Sequence, residues 1–293
     1  MIQKIRAIWQ LMRVEHGIML GIAILEGSFI GGKSLPDIHI FMFAFFTALF
    51  LETSTFALND YYDLDIDKKN MRKDRPLVRG ELHPKTALYL FLVLFPLGIL
   101  CSFFVNAMCF LIALVTGIFG VLYDVRIKKI KMLGNIYIAY IMAIPFIFGG
   151  AMTAKDFFPL DIPHVVYVLA LMAFLSGLGR EIMKDVMDFK GDQEGDVKSL
   201  PKYIGVYRSN IVSALLYTVA VSLSFLPFLV NTYSGYHHNL YYLSIIVVAD
   251  MMFLFTSLQL VFNKDVDIRF HRRFTLAAIF IGLLAFLTTA FTG

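Results

Sequence analysis

The chain has 293 residues, 58% of them apolar or aromatic and 16% charged, with a mean hydropathy of +0.72. Soluble domains carry about 45–50% apolar and about 25% charged residues, so the composition excludes a soluble enzyme, a disordered chain and a nucleic-acid-binding domain. The formal charge of +4 and the pI of about 8.9 then report how loop charges are placed around a membrane, not a basic groove.

In chain order, the first element is an amphipathic segment with Lys4, Arg6 and Arg13. It lacks a small-residue cleavage site and does not read as a signal peptide. Apolar runs bounded by charge then predict nine spans, at 18–33, 39–59, 86–104, 106–123, 134–153, 164–184, 209–230, 239–262 and 274–292. The third and fourth are parted only by a short polar break at Asn106. Joined, they would be too long for one crossing, because a span needs about 20 residues. Cys101 and Cys109 fall in these two runs without metal or redox spacing and read as buried thiols. The fold class expected is therefore all-α, a polytopic membrane protein read as one domain over 1–293, with acidic motif loops at about 59–85 and 180–208.

Charge placement supports the count. With nine spans, the N-terminal segment and the connections after spans 2, 4, 6 and 8 share one side. Of the 26 Lys and Arg residues, only Lys33 and Lys155 fall on the other. The positive-inside rule puts the N-terminus and those four connections in the cytoplasm and the C-terminus outside. Acid-rich connections recur after spans 2 and 6, with Asp60 and Asp185 at matching places, which suggests a weak repeat of a four-helix unit plus one extra span.

The first acidic motif runs from Asn59 through Asp60, Asp63 and Asp65 to Asp67. On a continuing helix, steps of three and four put Asp60, Asp63 and Asp67 on one face, a turn apart. The second contains Glu181, Asp185, Asp188, Asp192 and Asp196, again at steps of four and three, until Gly191 and Gly195 weaken the helix. One such motif is as readily a solvated acidic face. Two on the same membrane side favour metal binding, since stacked carboxylates repel and Mg²⁺ commonly joins one or two carboxylates to substrate phosphates. Nearby cations are Lys68, Lys69, Arg72, Lys73, Arg75 and Arg79, then Arg126, Lys128 and Lys129, then Lys184 and Lys198. Topology alone accounts for most of them singly. Together, beside carboxylates, they suit a polyphosphate clamp.

At these residues the sequence resembles the UbiA superfamily of intramembrane prenyltransferases. Its NDxxDxxxD pattern is matched by Asn59, Asp60, Asp63 and Asp67, followed by Asn70 and by Arg75-Pro76 with Gly80. Its second DxxxD motif is matched by Asp188 and Asp192, with Asp185 a turn earlier. A Tyr-x-x-x-x-Lys element is matched by Tyr123 and Lys128. The string from Gly179-Arg180-Glu181 to Asp185, then Gly191-Asp192 and Ser199-Leu200-Pro201, is similar to the branch that forms the second ether bond of archaeal lipids. It differs from the Tyr-Ala-containing version of aromatic-acceptor members.

The resemblance implies nine helices around a central, lipid-accessible cavity with helical cytoplasmic cap loops. It implies transfer of a geranylgeranyl group from its diphosphate to the free hydroxyl of geranylgeranylglyceryl phosphate. Mg²⁺ would be held by Asp60, Asp63, Asp67, Asp185, Asp188 and Asp192, with Asn59 assisting. Arg13, Arg72, Arg75, Tyr123, Lys128 and Lys184 are the candidates for phosphate contacts. Intramembrane acids are costly and point to function; Glu52 is a candidate cavity residue, while Glu26 and Asp250 suit helix packing equally well. Of the seven histidines none pairs at metal spacing, and His16, near the cytoplasmic mouth, is the candidate contributor. The runner-up is prenylation of an aromatic quinone or haem precursor. A transporter is the rival from another class, with acids near the midplane, and a CDP-alcohol phosphotransferase lacks its DGxxAR string here.

Overall fold

The structure, a computed structural model, describes residues 2–69, 71–154, 161–194, 199–233, 235–263 and 265–288. Among them every regular element is helical: α1 (Ile2–Met12), α2 (Val14–Gly32), α3 (Ile38–Lys69), α4 (Pro84–Phe103), α5 (Ala107–Val125), α6 (Lys131–Thr153), α7 (His164–Glu194), α8 (Leu200–Ile204), α9 (Val206–Ser224), α10 (Leu226–Leu229), α11 (Leu240–Phe262) and α12 (Ile268–Leu287). A single 3₁₀ turn, Ile127–Lys129, precedes α6. Among the described residues nine helices are long and apolar enough to cross a bilayer, as the sequence predicts, and the chain is a multi-pass membrane protein.

Local chemistry explains the boundaries. α4 and α5 are separate because Asn106 caps α5: its side chain accepts from the Cys109 amide at 2.8 Å, while its own amide donates to the Ala151 carbonyl at 2.9 Å. α12 begins at Ile268, six residues before the predicted start at 274, because Asp267 accepts from the Phe270 amide at 3.1 Å and nucleates a charged first turn. Long Arg side chains keep their charge in water while their stems lie along the helix, so hydropathy alone starts this span too late.

The acidic motifs are helical too. The predicted loops at 59–85 and 180–208 begin as the ends of α3 and α7; turns follow α3, and α8 and the start of α9 lie within the second. α3 has 32 residues and so spans about 48 Å, well beyond the roughly 30 Å of hydrocarbon. That length is enough to carry its acidic last turns beyond the hydrocarbon. α7, with 31 residues, continues through Gly191 in the same way.

The chain forms two compact units, 1–126 with 148–162, and 127–147 with 163–293. In the first, α3 packs against α2, α4 and α5 around Ile24, Ala44, Ala48, Cys109, Ala113, Phe148 and Ala151. Close approach of backbones replaces the hydrophobic drive that lipid removes. Gly149 shows this most plainly: a Cβ there would run into the Ile24 carbonyl oxygen. α1 seals the foot of this unit, burying Ala7 and Leu11 with Ala57, Leu77, Leu82 and Ala87. In the second unit, α7 packs on α9 and α12, and α11 on α9 and α12, around Met183, Tyr217, Val221, Ala249, Phe253, Leu260 and Ala278.

Candidate active site

The break between α1 and α2 aims the first cation. Arg13 sits in the left-handed region at φ 46°, ψ 50°, a conformation that costs a non-glycine residue about 1–3 kcal/mol. There its Nη2 donates to Asp60 Oδ1 at 2.7 Å, and its guanidinium lies 4.2 Å over the Phe56 ring. His16 meets the same ring edge-on at 5.2 Å.

Asp60 is 2% exposed, and its Oδ1 is shared with Arg75 Nη1 at 3.1 Å. Arg75 is the hub of the α3 foot. Its Nε lies 3.8 Å from Asp67 Oδ2 and 3.7 Å from Asp74 Oδ2. The other Asp60 oxygen, Oδ2, is buried and accepts no hydrogen bond. Asp67 is buried, Asp63 half-buried and Asp65 exposed. The predicted face of Asp60, Asp63 and Asp67 is therefore the inward one.

Asn59 has a different partner from the one the motif suggests. Its Nδ2 donates to Asp124 Oδ1 at 2.9 Å, joining the foot of α3 to that of α5. Asp124, 3% exposed, was not visible as a site residue in the sequence. Its only signal was an acid in the last turn of an apolar helix. Glu52, two turns above Asn59, lies within electrostatic range of Arg13 and Asp124.

The 71–83 connection consumes the remaining arginines. Arg72 binds Asp74 through two 2.9 Å hydrogen bonds and holds that carboxyl below its ordinary pKa. Arg79 holds both Glu81 oxygens at 2.7 Å, the Lys73 carbonyl at 2.8 Å and Gln10 Oε1 at 2.7 Å, which staples α1 to the turn. Of the predicted phosphate contacts on this connection, Arg75 reaches Asp60 and Asp67 directly, whereas Arg72 bonds Asp74 with Asp67 and Asp60 in its field.

The second unit repeats the device. Asp185, 1% exposed, accepts from Asn135 Nδ2 at 2.8 Å, and Lys131 Nζ lies 3.6 Å from its other oxygen. Lys131 opens α6 as Arg13 precedes α2. Neither Asn135 nor Lys131 belongs to a motif. Lys184 pairs with Glu181 at 2.8 Å, and Asp188 is half-buried one turn beyond Asp185. Tyr123 is half-buried in the last turn of α5, and Lys128 half-buried in the 3₁₀ turn; each has a polar or charged interaction. Of the intramembrane acids, Asp250 accepts from Ser224 at 2.7 Å, while both Glu26 oxygens are buried without a hydrogen bond. The side chains of Lys129 and Asp192, and Asn70, Lys155, Asp196 and Lys198, lie outside the described residues.

Among the described residues no three His, Cys, Asp or Glu side chains converge on one point. Of the motif acids, Asp60, Asp67 and Asp185 each stand beside a cation instead. That is a poor cage for a metal alone. It suits a metal whose remaining ligands come with a phosphate, because Asp60 keeps a desolvated, unengaged oxygen, a hard donor that a divalent cation satisfies.

A family model described as the UbiA prenyltransferase family matches residues 20–279. A digeranylgeranylglyceryl phosphate synthase of Archaeoglobus fulgidus is 37% identical over 98% of this chain and 96% of its own. One from Methanococcoides burtonii is 33% identical over 96% of this chain and 98% of its own. The solved structure of a digeranylgeranylglyceryl phosphate synthase aligns over 99% of both chains, with a TM-score of 0.82 and 30% identity. A UbiA homologue from Archaeoglobus fulgidus, solved with DMAPP and Mg²⁺, shares the fold at a TM-score of 0.64 and 18% identity, over 96% of this chain and 99% of its own.

Proposed function

The chain belongs to the UbiA prenyltransferase family, and on that premise we propose that it transfers a geranylgeranyl group from geranylgeranyl diphosphate to the free hydroxyl of geranylgeranylglyceryl phosphate, with Mg²⁺. The products are digeranylgeranylglyceryl phosphate and diphosphate. The observation that carries the reading is Asp60, with one oxygen held between two guanidiniums and the other desolvated and unengaged. Full-length similarity to synthases of that name supports the choice of acceptor.

Residue roles follow from charge. Asp60, Asp63 and Asp67 on α3, and Asp185, Asp188 and Asp192 on α7, would hold Mg²⁺ against the diphosphate. When bound, the ion neutralises charge on the leaving phosphates. Arg13 and Arg75 exchange Asp60 for diphosphate oxygens, since a guanidinium binds either anion bidentately. Lys131, which opens α6, and Lys184 on α7 would do the same for the α7 acids, with Lys128, Tyr123 and Arg72 as further contacts. Asn59, fixed by Asp124, positions the α3 foot.

As the allylic C–O bond breaks, negative charge grows on the diphosphate, which the fixed cations stabilise without reorganising. The acceptor oxygen attacks the allylic carbon, and the departing diphosphate takes up the hydroxyl proton. Water must be kept from the allylic carbon, and both apolar substrates reach the site from the bilayer. The cytoplasmic side of the cell membrane is the location that charge placement favours for this mouth, with the C-terminus outside.

The test is product identity. Purified chain supplied with geranylgeranyl diphosphate, geranylgeranylglyceryl phosphate and Mg²⁺ yields the doubly prenylated phosphate by mass spectrometry. Release of geranylgeraniol alone would refute the transfer.

A further inference from the structure

Away from the acids, the second unit brings two arginines together. Arg180, on α7, donates from Nη2 to the Arg272 carbonyl on α12 at 3.3 Å, and each guanidinium lies in the field of the other. The Nε atoms of both are buried without a hydrogen-bond partner. Among the described residues neither has a carboxylate at ion-pair distance. The adjacent acid, Glu181, is held by Lys184 at 2.8 Å.

Tyr217 of α9, fully buried, has its hydroxyl against Thr275 and in the field of both guanidiniums. The position is built for it. Gly179 leaves the space the phenol ring fills, since a Cβ there would come within 2.8 Å of the ring, and Phe253 packs on the ring at 5.1 Å.

Two like charges, partly desolvated and lacking a counter-anion, are costly unless an anion completes them. Two guanidiniums and a phenol are grouped here, and the acid in their field, Glu181, is already paired with Lys184. Arg180 lies five residues before Asp185 on α7, about 7.5 Å nearer the middle of the helix, and its neighbour Tyr217 belongs to the apolar cluster with Val221 and Phe253. Arg272 stands at the charged start of α12 while Arg180 is set deeper on α7, so an anion carried on an apolar tail suits both. A diphosphate, the ligand that needs acids and a metal, is already provided for elsewhere.

We propose that Arg180, Arg272 and Tyr217 form a metal-free site for the phosphomonoester of the lipid acceptor, which fixes the register of its free hydroxyl. The site makes the enzyme selective for phosphorylated acceptors. The inference rests on the acceptor reading above and is tested separately from it.

Binding of geranylgeranylglyceryl phosphate and of phosphate-free geranylgeranylglycerol to the detergent-purified full chain is measured without prenyl diphosphate, together with kcat/KM for each acceptor. Charge-assisted hydrogen bonds of this kind support a preference that Arg272→Gln lowers roughly 10- to 100-fold. Arg272→Lys recovers part of it, and Tyr217→Phe produces a smaller loss. Equal losses on both acceptors would assign the arginines to helix packing and overturn the site, as would a rise confined to the KM for geranylgeranyl diphosphate. Free inorganic phosphate competing as well as the lipid would remove the carrier argument. Wild-type chain that binds the lipid phosphate selectively yet forms no ether would sink the acceptor reading and leave the site standing.

Discussion

Arg13 and Asp60 meet at 2.7 Å although 47 residues separate them, and the cation gets there by adopting a left-handed backbone between two helices. The second unit has the same pairing in Lys131 and Asp185, at 3.6 Å. In each, a cation at the entry of one membrane helix meets the first motif acid near the exit of the next long one. The repeat suggested by the spacing of Asp60 and Asp185 is thus matched by their counter-ions. Each buried acid is kept in place by a charge that an incoming phosphate can take over.

Arg13→Ala removes one of the two guanidiniums on Asp60. The KM for geranylgeranyl diphosphate rises and kcat/KM falls, together roughly 10- to 100-fold, the worth of a charge-assisted hydrogen bond. Arg13→Lys recovers only part of this, since an ammonium lacks the fork. Steady-state kinetics with varied prenyl diphosphate reads both, and an unchanged KM in Arg13→Ala would assign Arg13 to folding.

The Asn59–Asp124 bond ties α3 to α5 across 65 residues of chain. Asp124→Ala leaves the Asn59 amide without that acceptor in a buried setting, at a cost of about 1–3 kcal/mol. A lower thermal midpoint in detergent follows. In a double-mutant cycle, Asn59→Ala adds little to Asp124→Ala. Full additivity would show that the two side chains act independently.

Asp63→Asn and Asp188→Asn keep side-chain size and remove one carboxylate from each helix end. Each abolishes Mg²⁺-dependent diphosphate release, followed with a coupled phosphate assay. Near-normal turnover in either variant would remove that acid from the metal-binding set.

Topology is testable with single cysteines in a chain carrying serine at positions 101 and 109. Lys73→Cys lies on the exposed α3–α4 connection and Leu35→Cys, at a 73% exposed position, on the α2–α3 connection. A membrane-impermeant maleimide labels Lys73→Cys only from the cytoplasmic side and Leu35→Cys only from the other. Labelling of both from one side would reverse the charge-based orientation.

Much of this was legible in the sequence, because span length and acid spacing are local properties. A hydrophobic run encodes a crossing, and steps of three and four encode a shared face, which is why Asp60 and Asp67 were found inward and Asp65 outward. Partner choice is not local. Nothing periodic links Asn59 to Asp124, Asn135 to Asp185 or Arg180 to Arg272, which are brought together by helix packing across 50 to 92 residues. Nor does the motif pattern reveal that Arg72, a candidate phosphate contact, is hydrogen-bonded to Asp74 two residues on. The late start predicted for α12 has a similar origin: one capping aspartate outweighs the charge of the turn that follows.

The central claim, prenyl transfer to a glyceryl phosphate lipid, is tested most directly by competition. Purified chain with geranylgeranyl diphosphate and Mg²⁺ is offered equimolar geranylgeranylglyceryl phosphate and 4-hydroxybenzoate, and the products are quantified by mass spectrometry. The account predicts digeranylgeranylglyceryl phosphate as the dominant product, lost on chelation with EDTA and restored by Mg²⁺. Preferential prenylation of 4-hydroxybenzoate would contradict it.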